Sequence, residues 1–191
     1  LFIKTSLRID RPLTTNSLRA EIAQGIRWLW NQKLILQLAL LMGGFNMVNA
    51  AMPLILIVIA KLLHVTDAEI GLTLSLGGLG GVIGSLLGAA MQRRFGFGRA
   101  VLILLWGQAL LFPLLIQLPG PISIGLAYGA VYALYSMFAV MQFSYRIALI
   151  PEDLQGRVNS SCRLLAFSLN PAGAALSGIS LEYLGVVPTV I

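Results

Sequence analysis

The chain has 191 residues, of which 58% are hydrophobic and only 10% are charged. A soluble domain carries about 25% charged residues, because its whole surface must face water. A soluble fold of this composition would expose a largely apolar surface and aggregate. The composition therefore excludes most soluble classes and favours a protein whose solvent is lipid. The positions of the 13 Lys and Arg, 7 Asp and Glu and 1 His are then the informative feature.

The first 33 residues are the most polar part of the chain and are predicted to lie outside the bilayer. Within them, residues 17–32 are predicted to form an amphipathic helix, which would lie on the membrane surface before the first span. The predicted apolar face of this helix carries Leu18, Ile22, Ile26 and Leu29. A plain helical linker is the alternative interpretation.

The long intervals between charged residues predict five membrane spans. A helix that crosses a bilayer needs about 20 mostly apolar residues, since about 30 Å of hydrocarbon is covered at 1.5 Å per residue. The longest uncharged stretch is interrupted by Pro119-Gly120-Pro121, a turn signal. The spans are predicted at about 35–60, 70–91, 100–117, 122–145 and 158–181, with a sixth apolar run at 186–191. The fold class is therefore all-α, a polytopic membrane bundle over 34–191, and we expect the chain to be a fragment.

Basic residues are distributed very unevenly between the two sides of the membrane. If the five spans alternate in direction, only Lys61 falls on one side, where it is accompanied by His64. Because cytoplasmic loops carry an excess of Lys and Arg, we expect residues 1–33 to be cytoplasmic. The basic residues lie at span ends without interleaved aromatic residues, which argues against a nucleic-acid partner. The predicted cytoplasmic side carries Lys4, Arg8, Arg11, Arg19, Arg27, Lys33, Arg93, Arg94, Arg99, Arg146, Arg157 and Arg163.

The second predicted span is rich in glycine. Small residues four positions apart let two helix backbones approach closely in lipid. Gly80 and Gly84 have this spacing, as do Gly77 with Gly81 and Gly84 with Gly88. A dinucleotide-binding loop is the rival interpretation, but no G-x-G-x-x-G spacing occurs in a strand–turn–helix context. A helix-packing role is assigned to Gly77, Gly81, Gly84 and Gly88.

The polar groups inside the predicted spans are mostly neutral. Asn and Tyr residues recur at helical spacing, and polar residues in spans usually face the bundle interior or a water-filled path. They could instead hold helices together through hydrogen bonds, and we leave both interpretations open. The candidates for contact with a substrate are Asn46, Asn49, Tyr128, Tyr132, Tyr135, Gln142, Ser168 and Asn170.

Groups for acid–base, nucleophilic or metal chemistry are missing from the predicted spans. They contain no Asp, Glu or His, and no cluster with metal-ligand spacing. We therefore expect neither an enzyme nor a bound metal or cofactor. Arg163 is the one charge well inside a predicted span. It could extend to the membrane surface, or it could find a partner in a water-filled cavity.

Three stretches of the sequence resemble a known family. They are Ser17–Trp30, the loop Arg93–Arg99, and Pro151–Asn159 followed by Arg163-Leu-Leu and Pro171-Ala-Gly. Together they resemble the C-terminal half, helices 7 to 12 truncated, of a major facilitator superfamily transporter. The most similar branch contains bacterial drug and siderophore exporters of the enterobactin-exporter-like and macrolide-efflux-like types.

The resemblance implies a secondary transporter that exports small organic molecules. Two six-helix halves would rock around a site near the membrane midplane, so the partners would be the bilayer, the absent N-terminal half and a small-molecule substrate. It implies a multi-pass protein of the bacterial cytoplasmic membrane. A membrane scaffold or sensor on the same fold is the alternative function.

The resemblance also indicates which polar residues would face the transport path. Helices 7, 8, 10 and 11 of the family face the path, which favours the candidates above and demotes Gln108. The loop after the glycine-rich span departs from the family, because Arg93 stands at its usual acidic position and Ala89 at its leading glycine. A coupling carboxylate is expected in the N-terminal half. The gating candidates are Arg93, Arg94, Gly96, Arg99, Arg157 and Arg163.

Overall fold

The computed structural model describes residues 18–152 and 154–185. This part of the chain contains helices and no strand, and five segments are long and apolar enough to cross a membrane. The expected all-α membrane fold is confirmed. The predicted apolar run at 186–191 lies outside the described residues. The helices are α1 Leu18–Asn31, α2 Lys33–Leu62, α3 Asp67–Phe95, α4 Phe97–Gln117, α5 Pro121–Leu149, α6 Gln155–Ser168 and α7 Asn170–Tyr183.

The spanning helices extend beyond the charge-free stretches that predicted them. At the start of α3, the backbone N–H of Thr66 donates to the Glu69 carboxylate at 2.9 Å, so the charged first turn is part of the helix. α5 continues to Leu149 and therefore includes Arg146. Arg146 thus belongs to the last turn of the fourth span, which a span cut at the first charge leaves out.

The fifth span is two helical segments rather than one continuous helix. α6 ends at Ser168, and α7 begins after Leu169 with Pro171 in its first turn. Proline has no N–H to donate and its ring crowds the preceding turn, so it favours such a break. Pro53 and Pro113, in contrast, lie inside α2 and α4.

Helix α1 packs on α6 around Gly25 and Leu29. Ile22 and Ile26 are 50% and 38% exposed, whereas Leu29 is fully buried. The contact is set by Gly25, where an added Cβ would lie 2.8 Å from the carbonyl oxygen of Arg157 in α6. Close approach at Gly25 decides how α1 packs on α6, and the placement of the Ile22 and Ile26 face on a membrane surface stays a prediction.

Three apolar clusters follow one another along α2. The first surrounds Ile35 and Leu29, the second Phe45 and Phe138, and the third Met52. Rings of Phe45 and Phe138 stack at 4.4 Å between centroids. α2 therefore takes part in all three clusters and packs mainly against α6 and α7.

Helices α3 and α5 pack backbone against backbone. An added Cβ on Gly80 would collide with the backbone of Gly129, and one on Gly84 with the backbone of Ala133. Such approach is available only to residues without a side chain. We call this contact the glycine interface: Gly80, Gly84 and Gly88 of α3 against Gly129, Ala133 and Val140 of α5.

Of the glycines assigned to packing, two more lie beside this interface. Gly77 is buried against the ring of Tyr128. Gly81 is only partly buried, and an added Cβ there would lie 3.3 Å from the Ser136 hydroxyl. Gly80 therefore lies nearer the centre of the contact than Gly81 does.

Candidate functional site

One face of α5 carries a row of five polar side chains. We call this face the polar stripe. Its spacings of four, three, seven and four residues follow the helical repeat, so its members lie above one another. The sequence interpretation included all but the last, because the predicted span ended at residue 145. The polar stripe consists of Tyr128, Tyr132, Tyr135, Gln142 and Arg146.

The three tyrosines form a continuous aromatic row. The rings of Tyr128 and Tyr132 are 4.7 Å apart and tilted by 60°, and those of Tyr132 and Tyr135 are 6.1 Å apart and tilted by 53°. Tilted pairs at these distances attract each other. Tyr128 is buried, whereas Tyr132 and Tyr135 are partly exposed. The row therefore offers two aromatic edges that a ligand could contact.

Asn46 joins the polar stripe to two other helices. The Tyr135 hydroxyl donates to Asn46 Oδ1 at 2.7 Å, and Asn46 Nδ2 donates to the carbonyl oxygen of Ala166 in α6 at 2.8 Å. Asn46 is 3% exposed, and both of its polar atoms are bonded within the protein. This geometry holds α2, α5 and α6 together, while contact of Asn46 with a substrate stays a prediction.

The remaining neutral candidates bond within their own helices or not at all. Asn49 Nδ2 donates to the Phe45 carbonyl at 2.8 Å, and its Oδ1 is buried without a partner in the described part of the chain. Asn170 Oδ1 is likewise buried and unpaired there. Ser168 is exposed and donates to the Leu165 carbonyl. Their roles in a substrate path stay predictions.

At its C-terminal end, where Gln142 and Arg146 lie, the polar stripe borders a cavity of about 350 Å³ between α2, α5 and α6. We call it the basic cavity. Arg146 is 4% exposed and donates from Nη2 to Asn159 Oδ1 at 2.7 Å, but its Nε has no partner among the described residues. Gln142 is 2% exposed, and its Nε2 is equally unpaired. The basic cavity is lined by Met42, Ala139, Val140, Gln142, Phe143, Arg146, Arg163, Ala166 and Phe167.

Sequence reasoning missed Arg146 because the span was cut at the first charge. The four-residue step from Gln142 to Arg146 is a signal that could have found it. Arg163, by contrast, lines the same cavity from α6 but is exposed, with its guanidinium 5.9 Å from the centre of the Phe167 ring. The two arginines therefore meet at one site, with unequal burial.

The gating candidates occupy separate places. Arg93 and Arg94 are exposed in the last turn of α3, and Arg99 is exposed at the start of α4. Gly96 joins these helices with a φ of +74°, which side chains disfavour. Arg157 donates to Gln24 Oε1 at 2.8 Å and so links α6 to α1. Their part in gating stays a prediction.

Gln108 lies away from the polar stripe. It is 5% exposed on α4, and its Oε1 has no partner in the described part of the chain. It lines a cavity of about 530 Å³ between α2 and α4 whose other walls are mostly apolar. Among the described residues that line this cavity, Gln108 has the one polar side chain.

Comparison with known proteins points to transport. The chain is 28% identical to the multidrug efflux pump Tap of Mycolicibacterium fortuitum over 193 aligned positions, which cover 95% of the chain and 44% of that protein. It is 35% identical to the MFS-type transporter YfnC of Bacillus subtilis (strain 168) over 116 positions, which cover 58% of the chain and 27% of that protein. These similarities support a transporter family. The chain thus spans less than half the length of the curated relatives that it matches, and no family model or solved structure matches it.

Proposed function

We propose that this chain forms one wall of a secondary transporter, which exports small organic molecules by alternating access. The observation that carries the proposal is the polar stripe: aromatic edges, an unpaired amide and a buried guanidinium lie along one face of a spanning helix. Polar groups in spans are costly unless they are paired or face a path. The similarity to a protein named as a multidrug efflux pump supports the same function.

The working unit is proposed to contain helices outside this chain. In transporters built from repeats, the substrate site lies between two halves near the midplane. In the described part of the spans, carboxylates occur only near helix ends, at Asp67, Glu69 and Glu182. We therefore assign any coupling carboxylate to the other half, and to this chain one wall of the substrate site whose spans carry no central carboxylate.

The proposed topology places residues 1–33 in the cytoplasm of a bacterial cell. A cysteine at position 64 should then react with an impermeant reagent added outside intact cells, and a cysteine at position 96 should not. Cells opened before labelling provide the control, since both positions should then react. Labelling of position 96 alone from outside would reverse the topology.

Transport is tested with the full-length protein expressed in cells that lack their main exporters. The readout is efflux of fluorescent dyes of different charge, including ethidium and fluorescein. Tyr132→Ala should change the dye range or slow efflux by about tenfold, which corresponds to about 1.4 kcal/mol, with little loss of folded protein. Tyr183→Ala, at an exposed position outside the polar stripe, is the control. If Tyr132→Ala changed only stability or assembly, a scaffold would be the better function.

A further inference from the structure

We infer that the basic cavity binds the oxyanion, a carboxylate or a phosphate, of a small amphipathic anion. This inference rests on the proposed function, because it names the chemistry of one group on the transported molecule. Arg146, Gln142 and Arg163 would hold the anion, and the apolar walls would hold its hydrocarbon part.

Two residues that line the basic cavity carry a buried donor without a partner in the described part of the chain. Arg146 Nε and Gln142 Nε2 are both buried and unpaired among the described residues. Leaving a buried donor unpaired costs about 1–3 kcal/mol, and more when it is charged. Buried polar groups are normally paired, so two orphan donors on residues of one cavity favour an acceptor that the side chains of Arg146 and Gln142 would turn to meet.

The charge of the cavity selects a negative acceptor. Two guanidinium groups line it, and no described residue that lines it is acidic. A nearly buried arginine is costly unless an opposite charge compensates it. The planar guanidinium presents parallel N–H donors that match the two oxygens of a carboxylate or phosphate. Asn159 accepts from Nη2 of Arg146, and no described group accepts from Nε.

The helix geometry explains how the two arginines converge. Side chains on a helix point back toward its N-terminus. Arg146 lies close to the end of α5, so its side chain points away from the 150–154 connection, whereas that of Arg163 points along α6 toward it. Residues at different distances from the connection thus reach one cavity.

The size and walls of the cavity fit an amphipathic molecule. A volume of about 350 Å³ lies at the lower end of the range for small-molecule sites. Met42, Phe143 and Phe167 provide apolar and aromatic walls beside the donors. A bare inorganic ion would leave these walls uncovered, which favours an anion with an aromatic or aliphatic body.

The test measures binding with the full-length protein in nanodiscs of phosphatidylcholine at constant ionic strength. Benzoate is the probe, and benzamide is its uncharged match. Benzoate should raise Tm in a concentration-dependent way, and benzamide should not. Arg163→Gln and Gln142→Leu should each weaken benzoate binding by about tenfold or more. Arg27→Gln, an exposed arginine of α1 outside the cavity, should leave it unchanged.

A second arm separates a soluble anion from a lipid headgroup. The anionic lipid phosphatidylglycerol replaces part of the phosphatidylcholine, without benzoate. If Tm then rises in the parent protein but not in Arg163→Gln, the anion is a lipid phosphate. If only benzoate raises Tm, the bound anion is a soluble carboxylate. Both results support an oxyanion site, whereas no response to either, or equal responses in the Arg163→Gln and Gln142→Leu variants, overturns it.

The result separates this inference from the proposed function. Efflux of ethidium that proceeds normally, together with no binding of benzoate or phosphatidylglycerol, would leave transport standing and remove the anion site. Benzoate binding without any dye efflux would support the anion site and contradict the proposed transport function. Arg146→Gln is added only if it folds, because the Arg163→Gln and Gln142→Leu variants already decide the question.

Discussion

Helix α5 has two faces that are built in opposite ways. Toward α3 it presents the glycine interface, where Gly80 and Gly84 bring two backbones into contact and leave no space. Toward α2 and α6 it presents the polar stripe, with a cavity and unpaired donors at Gln142 and Arg146. Helix α5 thus has a closely packed backbone contact on one face and a polar face with a cavity on the other.

The difference indicates where function lies. A contact between small residues that excludes water stabilises the helix pair by close packing and holds the two helices in one arrangement. Unpaired polar groups lower stability, so they persist where binding or motion uses them. We therefore assign the scaffold role to the glycine interface and the ligand role to the polar stripe.

The largest expected effect comes from breaking the glycine interface. Gly80→Leu places a side chain against the Gly129 backbone, which cannot yield. Overpacking costs about 1–3 kcal/mol or more, and we expect loss of most folded protein in size-exclusion chromatography. Gly78→Leu is the matched control, because an added Cβ there meets nothing within 4 Å. Equal yields of the two variants would show that the α3–α5 contact is loose.

Sequence reasoning found the spans, because hydrocarbon thickness fixes the length of an apolar helix whatever its neighbours are. The spacing of Tyr128, Tyr132 and Tyr135 also placed them on one face, and the structure shows their rings side by side. Sequence reasoning missed the features that depend on which helices are in contact. The bond from Asn46 to the Ala166 carbonyl joins residues 120 positions apart, and no local pattern indicates it.

A smaller effect is expected where the polar stripe meets α2. Tyr135→Phe removes the hydroxyl that donates to Asn46 Oδ1 and leaves that buried oxygen unpaired. The free energy of unfolding should fall by about 1–2 kcal/mol, seen as a lower Tm of the purified protein. Tyr183→Phe, at an exposed position, should have no effect. A Tyr135→Phe variant as stable as the parent would mean that Asn46 is satisfied in another way.

The smallest expected change in stability concerns the unpaired amides. Gln142→Leu and Gln108→Leu each replace a buried side chain that has an orphan polar atom, so both should be neutral or stabilising by up to about 1 kcal/mol. They should differ in function: Gln142→Leu should reduce binding of benzoate, and Gln108→Leu should not. A marked loss of Tm in both would indicate that these amides have partners after all.

Accessibility of two neighbouring positions on α5 tests the central assignment most directly. Tyr132 belongs to the polar stripe, whereas Leu134 lies against Gly107 of α4, and both are partly exposed. Each is replaced by cysteine in the full-length protein, with the native Cys162 changed to alanine, and labelled with a water-soluble maleimide in membranes. We predict rapid labelling at position 132 and slow labelling at position 134. Labelling that is equal, or faster at position 134, would contradict the account.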